Sequence, residues 1–270
     1  MTVTATSGSS LSPGFEDAFR RRLSVPAASS LHIANDYLRG AASTIKDATD
    51  FTPGLFAGQC FGNEEKLSIR GSGLSQGFAV RGILMTYDGI PLTMADGFTD
   101  EELLDPAATQ YVEIYRGGSA LHYGAANLGG AINFVSPTGY TAPLFGARAE
   151  LGSFDYYRAQ GTHAQVLGSW DYYFSGSHFS EEGFRDHAAR DLQRFNLNIG
   201  YRFREGAENR TYLIAGRGGK ELAGGLTKTN AEQNPTLDTD LPPFNGVSPQ
   251  TFFSISETSA TPCCSPTKPL

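Results

Sequence analysis

Between Arg194 and Arg204 the chain alternates without a break. Phe195, Leu197, Ile199, Tyr201 and Phe203 are interleaved with Arg194, Asn196, Asn198, Gly200, Arg202 and Arg204. A period of two over that length predicts a strand with one apolar and one polar face. Phe145, Ala147, Ala149 and Leu151 repeat the pattern against Gly146, Arg148, Glu150 and Gly152, and residues 156–167, 170–180 and 210–216 are weaker members of the series. Tight connections at Ser153-Phe154 and Gly168-Ser169 alternate with a longer one through 181–190. Strands of about ten residues with aromatic ends and alternating turn lengths fit a transmembrane β-barrel. A soluble sandwich, whose strands usually run to about five or six residues, is the alternative that the pattern alone leaves open.

Upstream of 140 the signals are mixed. Residues 15–23 predict a short helix stopped by Pro26. A second follows Ser43 as N-cap, with Ile45, Ala48 and Phe51 at helical spacing, and ends at Thr52-Pro53-Gly54. Short strands are predicted over 66–70, 79–87, 111–115 and Gly130–Val135, with Asp88-Gly89 as a turn. After about Leu222 the periodicity fades. Residues 241–270 are rich in Ser, Thr and Pro and predict an irregular segment unable to continue a sheet; a sequence out of frame after about Asp240 is the expectation, with a genuine extracellular loop as the alternative.

Composition narrows the function. The chain has 32 glycines, 11% aromatic and 18% charged residues, a balance of turns and strands. A net charge of −7 argues against nucleic acid. Arg20, Arg21 and Arg22 are the one tight basic run and read as a solvated helix face. Cys60 stands alone and Cys263 and Cys264 are adjacent, so no disulfide or zinc pattern exists; five scattered histidines add none. No nucleophile–base–acid set, cofactor motif or metal site is written here, which disfavours a hydrolase or lectin on a β-sandwich. Neither a secretory signal nor an apolar run long enough for a membrane helix is visible.

Three stretches, in this order, resemble the plug domain of TonB-dependent outer-membrane receptors: LSIRGSG (67–73), YDGIPL (87–92) and YVEIYRGGSALHYGAANLGGAINFVSPTG (111–139). The resemblance covers about 25–138, and Thr2, Val3, Thr4 and Ala5 resemble the TonB box that precedes such plugs. It implies an α+β plug, a small mixed sheet with helices, followed by antiparallel strands of an incomplete transmembrane barrel. The parts are a TonB-box-like segment and linker (1–24), the plug (25–139), the first barrel strands (144–240) and the irregular remainder (241–270).

What the resemblance implies about function follows. Such a plug sits in a barrel of about 22 strands. The receptor takes up a scarce ligand, most often a ferric siderophore, with the inner-membrane protein TonB supplying the pull. Partners are TonB, outer-membrane lipid and a ferric siderophore or similar chelate; no cofactor and no enzymatic activity are implied. Arg70 and Arg116 resemble plug arginines that pair with barrel carboxylates. Gly71, Gly89, Gly117, Gly124, Gly129 and Gly130 are expected to allow tight turns or close backbone approach. Gly118 stands where many members carry proline. Tyr87, Met94 and Phe98 are expected in core packing, with a place near ligand-facing loops as the alternative. An open sheet in lipid leaves backbone groups unpaired at several kcal/mol each, so these strands alone are expected neither to insert nor to transport. The competing reading is a soluble periplasmic plug-like binding module.

Overall fold

The computed structural model describes residues 11–24, 29–40, 44–59, 65–72, 80–93, 97, 99, 101, 104–124, 127–204, 207–221, 223–239 and 250–260. The first part is a mixed unit. Helix α1 (Phe15–Ser24) leads to β1 (Ser29–Ile33), α2 (Ala34–Tyr37) and α3 (Ile45–Thr49), then to the hairpin β2 (Leu55–Gln59) and β3 (Glu65–Ile69). Next come β4 (Ile83–Tyr87), β5 (Ile90–Pro91), β6 (Tyr111–Arg116) and β7 (Gly130–Val135), with 3-10 turns at Pro106–Ala108 and Gly117–Tyr123. The main sheet runs β1-β6-β7-β4-β5, and only β4 and β7 are parallel.

Strand β7 is buried along its whole length, because both faces of the sheet are covered. On one side Ile132 and Phe134 join Val112, Ile114, Ile83 and Met85 against Leu67, Ile69 and Ile45. On the other, Tyr111 and Val135 meet Ala18 of α1. Tyr87 is 3% exposed within the first cluster, a core role. Asn133 is the polar exception in β7, and both ends of its amide are hydrogen-bonded. Its Oδ1 accepts from Thr86 Oγ1 (2.8 Å) and Gly89 N (2.9 Å), and its Nδ2 donates to Glu113 Oε2 (2.9 Å).

Two expectations in this unit need correction. The N-cap of α3 is Thr44, not Ser43, because Asp47 sits at the third helical position and completes a reciprocal capping box with Thr44. Phe51 lies outside the helix, which ends at Thr49. It takes a positive φ of 66° and is 99% exposed, so helical spacing misplaced it.

The second part is an antiparallel meander: β8 (Phe145–Leu151), β9 (Tyr157–Leu167), β10 (Trp170–Glu181), β11 (Arg190–Arg204), β12 (Ala207–Lys220) and, after α4 (Lys228–Gln233), β13 (Gln250–Ala260). Each strand pairs with its sequence neighbour, and the sheet stays open with β8 and β13 at its edges. Strand β13 corrects the expectation for 241–270. It pairs with β12 from Glu208↔Ala260 to Gly218↔Gln250. Thr251, Phe252, Phe253, Ile255 and Thr258 favour extended chain, and no proline interrupts Gln250–Ala260.

The faces of the meander are inverted relative to a soluble protein. In β11 the buried positions are Leu192, Arg194, Asn196, Asn198 and Gly200, while Phe195, Leu197, Ile199 and Tyr201 remain partly exposed. In β9 and β10 the buried set includes Arg158, Gln160, Asp171 and Ser175. The polar face is covered by the mixed unit, and the apolar face points away from it.

Candidate functional site: where the mixed unit meets the meander

Two buried arginines organise the contact. Arg210 of β12, Gly200 of β11 and Asp171 of β10 lie in one cross-strand row. The guanidinium crosses the bare backbone of Gly200 and donates from Nη2 to both Asp171 oxygens at 2.6 Å, and from Nη1 to Asn198 Oδ1 at 2.6 Å. A Cβ on Gly200 would lie 2.5 Å from Asp171 Oδ1, so this row requires glycine. The second oxygen of Asp171 also accepts from Gly139 N (3.1 Å), and Asn198 Nδ2 donates to Ser136 Oγ (2.7 Å) and Pro137 O (3.1 Å). The exit of the mixed unit is thereby fastened to the sheet.

The other arginine is Arg158 of β9, 1% exposed, which pairs with Asp105 at the head of the Pro106–Ala108 turn. Asp105 also accepts from Ser177 Oγ (2.5 Å) and Ala107 N (3.0 Å). Burial would raise its pKa, but the Arg158 and Arg194 guanidinium groups outweigh burial and hold the carboxyl below its usual range. Gln160 Nε2 adds bonds to Ala107 O (3.0 Å) and Ser175 Oγ (2.9 Å). Beside this contact a cavity of about 660 Å³ separates the two parts, lined by Leu38, Thr109, Arg148, Gln160, Thr162 and Tyr173.

A third contact starts ahead of α1. Leu11 N donates to Glu208 Oε1 (2.7 Å), and Ser12 Oγ donates to Asp88 Oδ1 (2.7 Å) while lying 2.9 Å from Tyr212 OH. Asp88 stands in the β4–β5 turn, where burial pushes its carboxyl up to about 7 despite hydrogen bonds from Ser136 and Ser12.

The residues singled out in the sequence fall as follows. Gly71, Gly89, Gly117 and Gly124 have φ between 62° and 105°, the left-handed region expected of them. Gly129 and Gly130 serve close approach: a Cβ on Gly130 would stand 2.2 Å from Tyr115 O. Arg70 and Arg116 come together beside Gly54, and Arg116 Nη1 donates to Pro53 O (2.6 Å); among the described residues neither makes an ion pair. Thr2, Val3, Thr4, Ala5, Met94, Phe98 and the three cysteines lie outside the described residues. Sequence reasoning missed Arg158, Arg210, Asp105 and Asp171. The sequence-level signal of Arg158, Asp171 and Arg210 is a charge on the face opposite the apolar one; Asp105 stands outside the strands, capping the Pro106–Ala108 turn.

The TonB-dependent Receptor Plug Domain family matches residues 21–131. A hemin receptor of Yersinia enterocolitica is 39% identical over 75 residues, 25% of this chain and 11% of the receptor. The ferrichrome outer membrane transporter/phage receptor of Escherichia coli (strain K12) is 28% identical over 131 residues, 48% of this chain and 17% of the transporter. The chain thus spans a small part of the length of these curated relatives. Among solved structures, the unliganded ferric citrate transporter FecA aligns over 79% of this chain and 34% of its own, with a TM-score of 0.66 at 18% identity. The ferric yersiniabactin uptake receptor FyuA from Yersinia pestis aligns over 73% and 32%, with a TM-score of 0.55 at 19% identity. These structural likenesses carry the fold: a plug followed by leading strands of a barrel wall. The relatives are named as receptors and transporters, not as enzymes.

Proposed function

We propose, from the premise that this chain belongs to the TonB-dependent receptors, that it forms the plug and part of the wall of an outer-membrane importer for an iron chelate. The observation that carries this reading is the inverted sheet. Arg158, Asp171, Arg194, Asn198 and Arg210 are buried against the plug, whereas Phe145, Leu151, Leu167, Trp170 and Phe203 are exposed on the far side. Such a face is costly in water and matched to hydrocarbon, with aromatic residues at its ends. The Trp170 and Tyr201 rings meet at 4.5 Å, tilted by 46°, and Phe203 lies 4.9 Å from Tyr201, all at the end where connections are short. A soluble plug-like module has no use for that surface.

The ligand class rests on the relatives' names, which mention hemin, ferrichrome and ferric citrate. Their common element is chelated iron, and a ferric siderophore or similar chelate is the substrate proposed here. Thr2, Val3, Thr4 and Ala5 are proposed to engage TonB as an added strand, since an extended Thr/Val segment offers its backbone to a sheet edge. Arg70 and Arg116 are proposed to meet wall carboxylates beyond the strands described. The test is uptake of labelled iron by receptor-deficient cells carrying the full-length receptor that contains this plug and these strands, one chelate at a time. The reading predicts uptake of at least one chelate, with uptake and cross-linking to TonB both lost on Val3→Pro. Protein present in the outer membrane with no iron uptake, or undiminished cross-linking, would contradict it.

A further inference from the structure

The chain ahead of the plug is held by one buried hydroxyl that touches both parts of the molecule. Ser12 is fully buried. Because its single proton goes to Asp88 Oδ1, the hydroxyl of Tyr212 is the donor in the second bond, giving a one-way relay from Tyr212 through Ser12 to Asp88. Tyr212 belongs to wall strand β12, but its ring packs in the plug's main core cluster. Asp88 belongs to the β4–β5 turn and also accepts from Ser136 N at 3.2 Å. On either side of Ser12 the backbone is tied as well. Leu11 N bonds Glu208 of β12, and Pro13 O accepts from Tyr111 OH (2.9 Å) and Gln110 Nε2 (3.1 Å) of the plug.

We propose that Ser12 is a positioning residue for the import cycle: a clasp that joins the segment ahead of the plug to wall strand β12 and to the β4–β5 turn at once. The proposal rests on the import reading above. Its physical content is coupling. Leu11 cannot be displaced without losing the Glu208 bond, and loss of Ser12 from its seat removes a partner from Tyr212 and from Asp88 together. Buried groups that lose a partner are unstable in place, so the turn and β12 loosen with the segment. The seat admits little else. A side chain without a hydroxyl would break both bonds.

Hydrogen exchange on the whole protein in lipid nanodiscs tests this without requiring uptake. Tyr212→Phe should speed exchange of the Leu11 amide about fivefold, the effect of one ordinary hydrogen bond, and Ser12→Ala, which breaks both bonds, should speed it more. Each should also speed exchange at Gly89 in the β4–β5 turn. The double variant should match Ser12→Ala alone, because both substitutions break the same relay. Ser177→Ala, at the separate Asp105 contact, should leave Leu11 unchanged. Unaltered Leu11 exchange in both single variants, or additive effects in the double, would overturn the clasp. Failure of the import reading would show instead as no iron uptake by the unsubstituted full-length receptor, with these exchange effects intact.

Discussion

Arg210 reaches Asp171 across a strand that lies between them. Glycine at the crossing point, Gly200, is what lets a guanidinium bridge two strands that are not neighbours. The pair is almost fully buried, with side-chain exposures of 0% and 4%. Breaking a buried pair strands two charges and typically costs about 3–5 kcal/mol. Gly200→Ala is therefore expected to lower stability by about 3 kcal/mol in chemical unfolding, nearly as much as Arg210→Ala. A loss below about 1 kcal/mol would show that the row is not needed.

Asp105 and Arg158 form a buried ion pair between plug and wall. Either alanine substitution alone should destabilise by about 3 kcal/mol, and the double variant by about 1–3 kcal/mol less than the sum, since the second change removes a charge already stranded. Strict additivity in that cycle would mean that the two side chains do not act on each other.

Two plug carboxyls respond to pH in the opposite sense from an ordinary ion pair. Burial pushes Glu65 up to about 7, and Asp88 likewise to about 7. Both are held above their unfolded values, so the folded plug keeps protons that the unfolded chain releases. Stability should fall as pH rises from about 4 to about 7 and level off above that. Glu65→Gln should flatten the slope in thermal melts, and Asp88→Asn should flatten it further. Asp105, held below its usual range, works the other way, and only under about pH 4. A melting temperature that rises steadily between pH 4 and 7 would contradict the assignment.

Much of this was legible in the sequence, for reasons that can be traced to particular residues. Strand β11 was readable because Phe195 to Phe203 keep strict alternation, and the plug because its glycines occupy turns that few other residues tolerate. Alternation identifies two faces but not which is covered; the covering of Arg194 and Asn198 required the plug to be in place. Asp105 and Arg158 stand 53 positions apart, with no motif to join them. Gly200 looked like an ordinary member of the polar face until Arg210 was seen to pass over it. Strand β13 was hidden because the prolines that flank it masked a proline-free run. Thr44 and Ser43 were indistinguishable as caps until Asp47 was placed on the same helix.

The claim that the exposed face of the wall lies in lipid can be tested with the chain's single tryptophan. Trp170 is 52% exposed on that face, beside Tyr201. The full-length receptor, with any tryptophan outside this chain replaced, should be reconstituted into vesicles with bromine on the lipid acyl chains and its fluorescence compared with that in unbrominated vesicles. Contact with lipid predicts strong quenching that a water-soluble quencher does not reproduce. Full fluorescence in brominated lipid, with ready quenching from the aqueous phase, would contradict a membrane-facing wall.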